Sequence, residues 1–421
     1  MRGDGRDGGE NMLTTQEKDT LRALASDYMS YAVLPVQKEK TELWKALNRG
    51  GMVRPMVTID QLPWDELACE ELACRVEDRF WRGVEDGLRK ALYKWRHFPA
   101  DMVLEPCIVI PRAVTRAGYG LRPRETVLGT EHCTAKSRHY FNQLLELEDV
   151  GKITDDRITH DEALTAQRLD EAEALFAGIA PVRLAGVGFH LGVWDTISKY
   201  METEECYFAF YDRPELLHAA MERLTESTIR GIEDANRLGL HDDCANLCHC
   251  SHIFTDELLP ESGAGRGPVS QNCWSMGLAQ LMTAVSPAIF EEFELPYIQR
   301  MAGYFGMLYY GCCDRLDDRL DLVKRIPNVR KISCSPWSDR ARFAAGIGPE
   351  LVMSAKPSPA FLAGDRFDAQ AVKKDLELTC ALAKEHHVNL EFLLKDVSTV
   401  RKEPGRLTQW EEAAMAVVEN F

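Results

Sequence analysis

The chain has no apolar run approaching the roughly 18 residues that a membrane helix needs, which excludes an α-helical membrane protein. It also has no concentrated basic stretch. Its 50 Lys and Arg stand against 66 Asp and Glu, a formal net charge of −16, and a phosphate backbone needs the opposite. Nucleic acid is therefore not an expected partner. Nothing at the start reads as a signal peptide, and there is no internal repeat. A Gly-x-Ser-x-Gly elbow and a phosphate loop ending in Gly-Lys-Ser/Thr are both missing, so two common catalytic designs drop out. Gly263-Ala264-Gly265-Arg266-Gly267 follows no strand and opens no helix, so it reads as a flexible loop. The 13 cysteines are scattered, and the adjacent pair Cys312-Cys313 suits no disulfide framework, which predicts a reducing, cytoplasmic setting. Residues 1–10 are Gly-rich and charged and read as a disordered tail.

What is present fits one large α/β domain: 421 residues, 45% of them hydrophobic, build a substantial core. Between Leu67 and Trp95 the residues Val76, Phe80, Val84, Leu88 and Leu92 recur every four positions, the stripe of a helix on a core. Asp212-Arg213-Pro214-Glu215 predicts a helix start, and Gly239 its end after about Leu238. Ser286-Pro287 opens another helix, kinked at Pro296. Thr408-Gln409-Trp410-Glu411 reads as a capping box before a helix carrying Ala413, Ala414, Val417 and Val418. Short apolar runs at 54–59, 102–110, 182–187, 239–244, 306–312, 329–335, 351–355 and 390–394 predict strands. Strands alternating with helices mean a parallel sheet, and this number favours closure into a single (β/α)8 TIM barrel over 51–421. A helical extension at 11–50 precedes it, and Pro260 to Met276 is expected as a long loop at the active end.

Barrels carry their chemistry just beyond the strand ends. Gly188-Phe189-His190-Leu191-Gly192-Val193-Trp194-Asp195 follows the third predicted strand. Asp243 and then Cys248-His249-Cys250-Ser251-His252 follow the fourth. Tyr310-Gly311-Cys312-Cys313-Asp314 ends the fifth, Trp337 lies after the sixth, and Lys395-Asp396 after the eighth. Thiolate and imidazole together suit zinc with four ligands, or three and an open place for substrate. The spacing fits no zinc finger, so adjacent strand ends would supply one catalytic ion, from His249, Cys250, Cys312 and Cys313. The other reading makes these cysteines ordinary buried residues. His190 binds substrate or ties down a loop. Trp194, Trp274 and Trp337 line a flat pocket or simply pack. Lys395 and Asp396 are a structural ion pair or catalytic groups.

The stretches SPAIFEEFELPYIQRM, YYGCCDRLDDRLDLVKRIPNVRKISCSPWSD, SAKPSPAFLAGD and LEFLLKDVSTVRKEPGRLTQW resemble the uroporphyrinogen decarboxylase superfamily, which also contains corrinoid-dependent methyltransferases. The resemblance runs from about Arg54 onward and implies the same barrel and a tendency to dimerise. Uroporphyrinogen decarboxylases carry Arg-Gln-Ala-Gly-Arg-Tyr after the first strand, where this chain has Ile59-Asp60-Gln61-Leu62-Pro63-Trp64. Porphyrinogen decarboxylation is therefore not implied. The zinc methyltransferases carry His-x-Cys after the fifth strand and a further Cys after the eighth. Tyr310-Gly311-Cys312 keeps the cysteine and replaces the histidine, and Lys395-Asp396 stands at the second thiol.

The resemblance thus implies an O-demethylase-type methyltransferase acting on a small methylated donor such as an aromatic methyl ether. The acceptor is the cobalt of a corrinoid on a separate protein, because the chain has no Asp-x-His-x-x-Gly corrinoid motif. In that reading zinc on His249, Cys250, Cys312 and Cys313 polarises the leaving oxygen. Asp314 or Asp396 supplies a proton, with Lys395 beside them, while His190, Trp194, Asp243, Trp274, Tyr310 and Trp337 contact the substrate. Two alternatives stand beside it: a decarboxylase or lyase of a non-porphyrin acid using Lys395 and Asp396, and a non-catalytic corrinoid- or tetrapyrrole-binding carrier.

Overall fold

The computed structural model describes residues 13–129, 137–258 and 267–421. The expected tail at 1–10 and the first part of the 260–276 loop lie outside them. Two helices precede the first strand. In α1 (Thr15–Ala32) the side chain of Thr14 accepts from Glu17 N while Glu17 reaches back to Thr14 N, and α2 (Pro35–Asn48) has proline in its first turn. The stripe from Leu67 becomes helical only at α3 (Arg79–His97), where Asp78 caps the first turn.

The strands in the first half are β1 (Met56–Ile59), β2 (Ile108–Pro111), β3 (Val114–Arg116), β4 (Glu125–Leu128), β5 (Ser137–Tyr140), β6 (Ile158–His160) and β7 (Val182–Ala185). Those in the second half are β8 (Leu247–Cys248), β9 (Ser251–His252), β10 (Trp274–Gly277), β11 (Met307–Tyr310), β12 (Val329–Cys334), β13 (Val352–Ala355) and β14 (Asn389–Leu394). A curled parallel sheet runs β1-β14-β13-β12-β11-β10, and β2 pairs with β7 in parallel beside it. The remaining pairs, β3-β6, β4-β5 and β8-β9, are antiparallel.

Parallel neighbours need helical crossovers, so the architecture is α/β and TIM-like. The continuous ladder has six strands, not the closed eight expected. Between β7 and β10 the wall is carried by two isolated parallel bridges, Val187 to His241 and His190 to Met276. Two strand expectations change accordingly. Trp274–Gly277, expected within a loop, is β10. The 239–244 run supplies only the His241 bridge, because Asp242 turns aside to pair with Arg183 at 2.9 Å.

The helix Pro214–Leu238 ends on left-handed Gly239 (φ 62°), as expected, although Arg213 rather than Asp212 occupies its cap. Pro287–Phe293 and Leu295–Ala302 are separated at Glu294, the break that Pro296 predicts. The last helix starts at Gly405, earlier than the Thr408 box suggested, and Thr408 donates to His97 O instead of capping. No helix among the described residues is long and apolar enough to cross a membrane.

Strand alternation divides the sheet into two faces. Leu308, Tyr310, Ile332, Cys334, Met353, Leu390 and Phe392 belong to the main apolar core with the surrounding helices. Tyr309, Lys331, Ser333, Ser354, Lys356 and Glu391 take the alternate positions and bond to one another on the concave side. Trp44 and Leu47 of α2 close one end of the curl against Met56, Val103 and Val352.

Candidate active site

Near the closed end, Lys331 and Glu391 form a fully buried ion pair at 2.7 Å. Lys331 also donates to Ser251 Oγ (2.7 Å) and His252 O (3.1 Å), and Ser251 Oγ donates to Glu391 (2.8 Å). These bonds anchor the β8-β9 hairpin inside the curl. Its two-residue tip, His249 and Cys250, has φ of 48° and 65°. Tight hairpins need positive φ at both places and normally use Asn or Gly, so side chains here cost on the order of 1 kcal/mol each. The strained tip sets the His249 ring 5.1 Å from that of Tyr309 and its Nε2 3.5 Å from Lys395 Nζ.

At the open end β11 runs into Gly311, whose φ of 94° suits glycine. A Cβ there would lie 2.7 Å from Leu316 Cδ1 and 2.9 Å from Ser333 Cβ. The turn places Cys312 so that its N–H donates to Asp314 Oδ2 (2.8 Å) and its carbonyl accepts from Ser333 Oγ (2.6 Å). Lys395 Nζ lies 3.0 Å from Cys312 Sγ and 3.0 Å from Asp396 Oδ2. The Cys313 sulfur is 3.3 Å from that carboxylate and 3.7 Å from Cys312 Sγ.

The Cys313 thiol, then the His249 imidazole and the Lys356 ammonium, hold Cys312 well below the usual thiol range against the opposing effect of burial. Burial pulls Lys395 down, but the Cys312 thiolate and Asp396 outweigh it and keep the ammonium charged.

A cleft of about 820 Å³ opens beside this group, lined among others by Arg116, Tyr119, His190, Asp195, Lys199 and Tyr207. Burial, then the field of Asp314, pushes Asp195 up to about 7. Asp314 itself is buried and pushed up to about 6 by desolvation, and its Oδ1 has no hydrogen-bond partner among the described residues. Glu294, also buried, accepts from the Tyr310 hydroxyl at 3.0 Å.

The structure thus gathers Cys312, Cys313, Asp314, Lys395, Asp396 and His249 at one place, with His190 in the adjoining cleft. Cys250 shares the hairpin tip, where burial pushes its thiol up to about 12. The other predicted contacts are elsewhere. Trp194 is fully buried, its indole N–H donating to Phe293 O (3.1 Å) and its ring against Phe210. Trp274 packs with Ile253 and Met307. Tyr310 is buried against Phe290 on the helix side of its strand. Trp337 is 73% exposed. Asp243 lies near Cys244 and Cys273, away from the thiolate. Lys356 and Asp195 belong to the site but were not among the expected catalytic or binding residues; Lys356 follows β13, whereas Asp195 sits in the short helix Val193–Ile197 and takes its character from burial.

One group of three donors among the described residues is spaced for a metal: Cys312 Sγ, Cys313 Sγ and an Asp396 oxygen, all within 4.8 Å of one another. Tetrahedral zinc with arms of about 2.3 Å sets two sulfurs about 3.8 Å apart, and the pair here is at 3.7 Å. The donor set therefore fits zinc with an open fourth place. It differs from the expected set in that Asp396 joins the two thiols, while His249 stands next to Lys395.

Solved structures with this fold include a methyltransferase from Methanosarcina mazei, with a TM-score of 0.51 and 12% identity over 91% of this chain and 98% of that one. At that identity the likeness shows the fold alone. No protein-family profile matches the chain, and no curated protein does.

Proposed function

We propose that this protein transfers a methyl group from a small methylated donor to the cobalt of a corrinoid carried by a separate protein. The observation that carries the reading is the charged thiolate group around Cys312, set at the strand ends beside a cleft of about 820 Å³. The methyltransferase-like fold supports it.

Zinc held by Cys312, Cys313 and Asp396 would act as a Lewis acid on the heteroatom that the methyl group leaves. Lys395 sits 3.0 Å from both the Cys312 sulfur and the Asp396 carboxylate and offsets their charge. Asp195, pushed up to about 7 by burial, is about half protonated at neutral pH and passes that proton to the departing oxygen. The cleft walls hold the donor and exclude water, which strengthens each of these electrostatic effects.

The test mixes purified protein with cob(I)alamin and a series of methyl ethers and follows methylcobalamin by absorbance. Turnover that Cys312→Ser abolishes supports the reading. Tight corrinoid binding with no methylation across the series refutes it in favour of a carrier.

A further inference from the structure

The cleft holds charges of both signs, with Asp156 and Asp195 among its lining, inside a chain whose formal net charge is −16. Two cations line it, and they differ in how far they are neutralised. Arg116 is committed: its Nε donates to buried Asp156 at 2.9 Å, and its guanidinium lies over the Phe189 ring at 4.8 Å. The Lys199 ammonium has no hydrogen-bond or ion-pair partner among the described residues, and its field reaches His190 and Asp195.

His190 adds a directed donor. Its Nδ1 accepts from Gly192 N at 3.2 Å, which leaves the ring proton on Nε2. Gly192 makes this possible, since a Cβ there would stand 2.5 Å from His190 Cε1. Two of the three lining tyrosines have satisfied hydroxyls: Tyr119 OH bonds Thr228 (2.9 Å) and Tyr207 OH donates to Leu281 O (3.0 Å). They present ring surface to the cleft, not hydroxyls. With Arg116 on Asp156, and Asp195 carrying a proton below about pH 7, one uncompensated positive charge, one neutral N–H donor and apolar walls match a monoanion with a flat apolar body. A dianion would remain undercompensated.

We propose that the methyl donor carries a single carboxylate, held by Lys199 and His190 Nε2, with its apolar body against Tyr119 and Tyr207. This inference rests on the methyl-transfer reading for which end of the molecule reacts, and not for the binding itself.

The experiment is calorimetric titration of the full chain, without any acceptor, with 4-methoxybenzoate, methoxybenzene and 4-methoxyphenyl phosphate. The carboxylate should bind at least about tenfold more tightly than either of the others, the scale of one ion pair in a partly enclosed site. Lys199→Met should lose about that tenfold and Lys199→Arg should stay within about threefold of the parent. Circular dichroism checks that these exposed-site variants keep the fold. The proposal is overturned if the neutral ether binds equally well, if the phosphate binds more tightly, if none binds, or if Lys199→Met binds as the parent does. Lys199-dependent carboxylate binding without methyl transfer to cob(I)alamin would leave this inference standing and remove the catalytic reading alone.

Discussion

Replacing Lys331 by methionine removes the ammonium that faces Glu391 and leaves a carboxylate with 1% of its side chain exposed. Breaking a buried pair from one side costs about 3–5 kcal/mol, because the remaining charge has lost both water and partner. The upper end applies here, since Ser251 Oγ and His252 O lose the same donor. The orphaned Glu391 can escape by taking a proton, which raises its folded-state pKa above the unfolded value. The sign follows: the folded state then binds the extra proton, so the variant loses more stability as pH rises.

Lys331→Met combined with Glu391→Met removes both charges and fills similar volume, and should lie within about 2 kcal/mol of the parent. Urea unfolding by circular dichroism at pH 5.5 and 8 measures all three proteins. A loss below about 1 kcal/mol for the single variant, or a double variant as damaged as the single one, would show that the pair does not hold the hairpin as argued.

Three further outcomes are expected. Emission spectrometry should find zinc in the purified parent, several-fold less in Cys312→Ser and Asp396→Ala, and parental content in Cys250→Ser; the reverse pattern refutes the ligand set. Methyl transfer should fall as pH rises through about 7, where Asp195 gives up its proton. Asp195→Asn should be slow at every pH and lack that limb, and a limb surviving in the variant assigns it to another group. Trp194→Ala should cost about 3–5 kcal/mol in urea unfolding by emptying a fully buried site. Trp337→Ala, at a surface position, should stay within about 0.5 kcal/mol, and equal losses for the two would refute the placement of both rings.

The parts of the fold that the sequence announces are those where local pattern and tertiary packing agree. The helix closed by Gly239 and the break near Pro296 follow from backbone sterics. β11 to β14 were legible as apolar runs, although their concave faces hold Lys331, Lys356 and Glu391. A charge inside a strand is invisible as structure until its partner across the curl is known. β10 was missed because its Trp-Ser-Met-Gly carries no strong strand signal and follows a glycine-rich stretch. The hairpin tip was missed because His249-Cys250 lacks the Asn-Gly signature of a tight turn. Cys312 and Lys395 stood out by their place after strands. The role of Asp195 did not, since it comes from burial beside Asp314, a residue more than a hundred positions away.

The seam between β7 and β10 has a consequence for the wall of the cleft. His190 lies on that seam, joined to the rest of the sheet by one bridge, with Leu191 N donating to Met276 O at 2.7 Å and Ser275 Oγ to Phe189 O at 2.9 Å. Within the six-stranded sheet neighbouring strands are joined by continuous ladders. The cleft wall at His190 is therefore held by few backbone bonds. The six-stranded sheet, with the thiolate at its end, is tied together far more continuously.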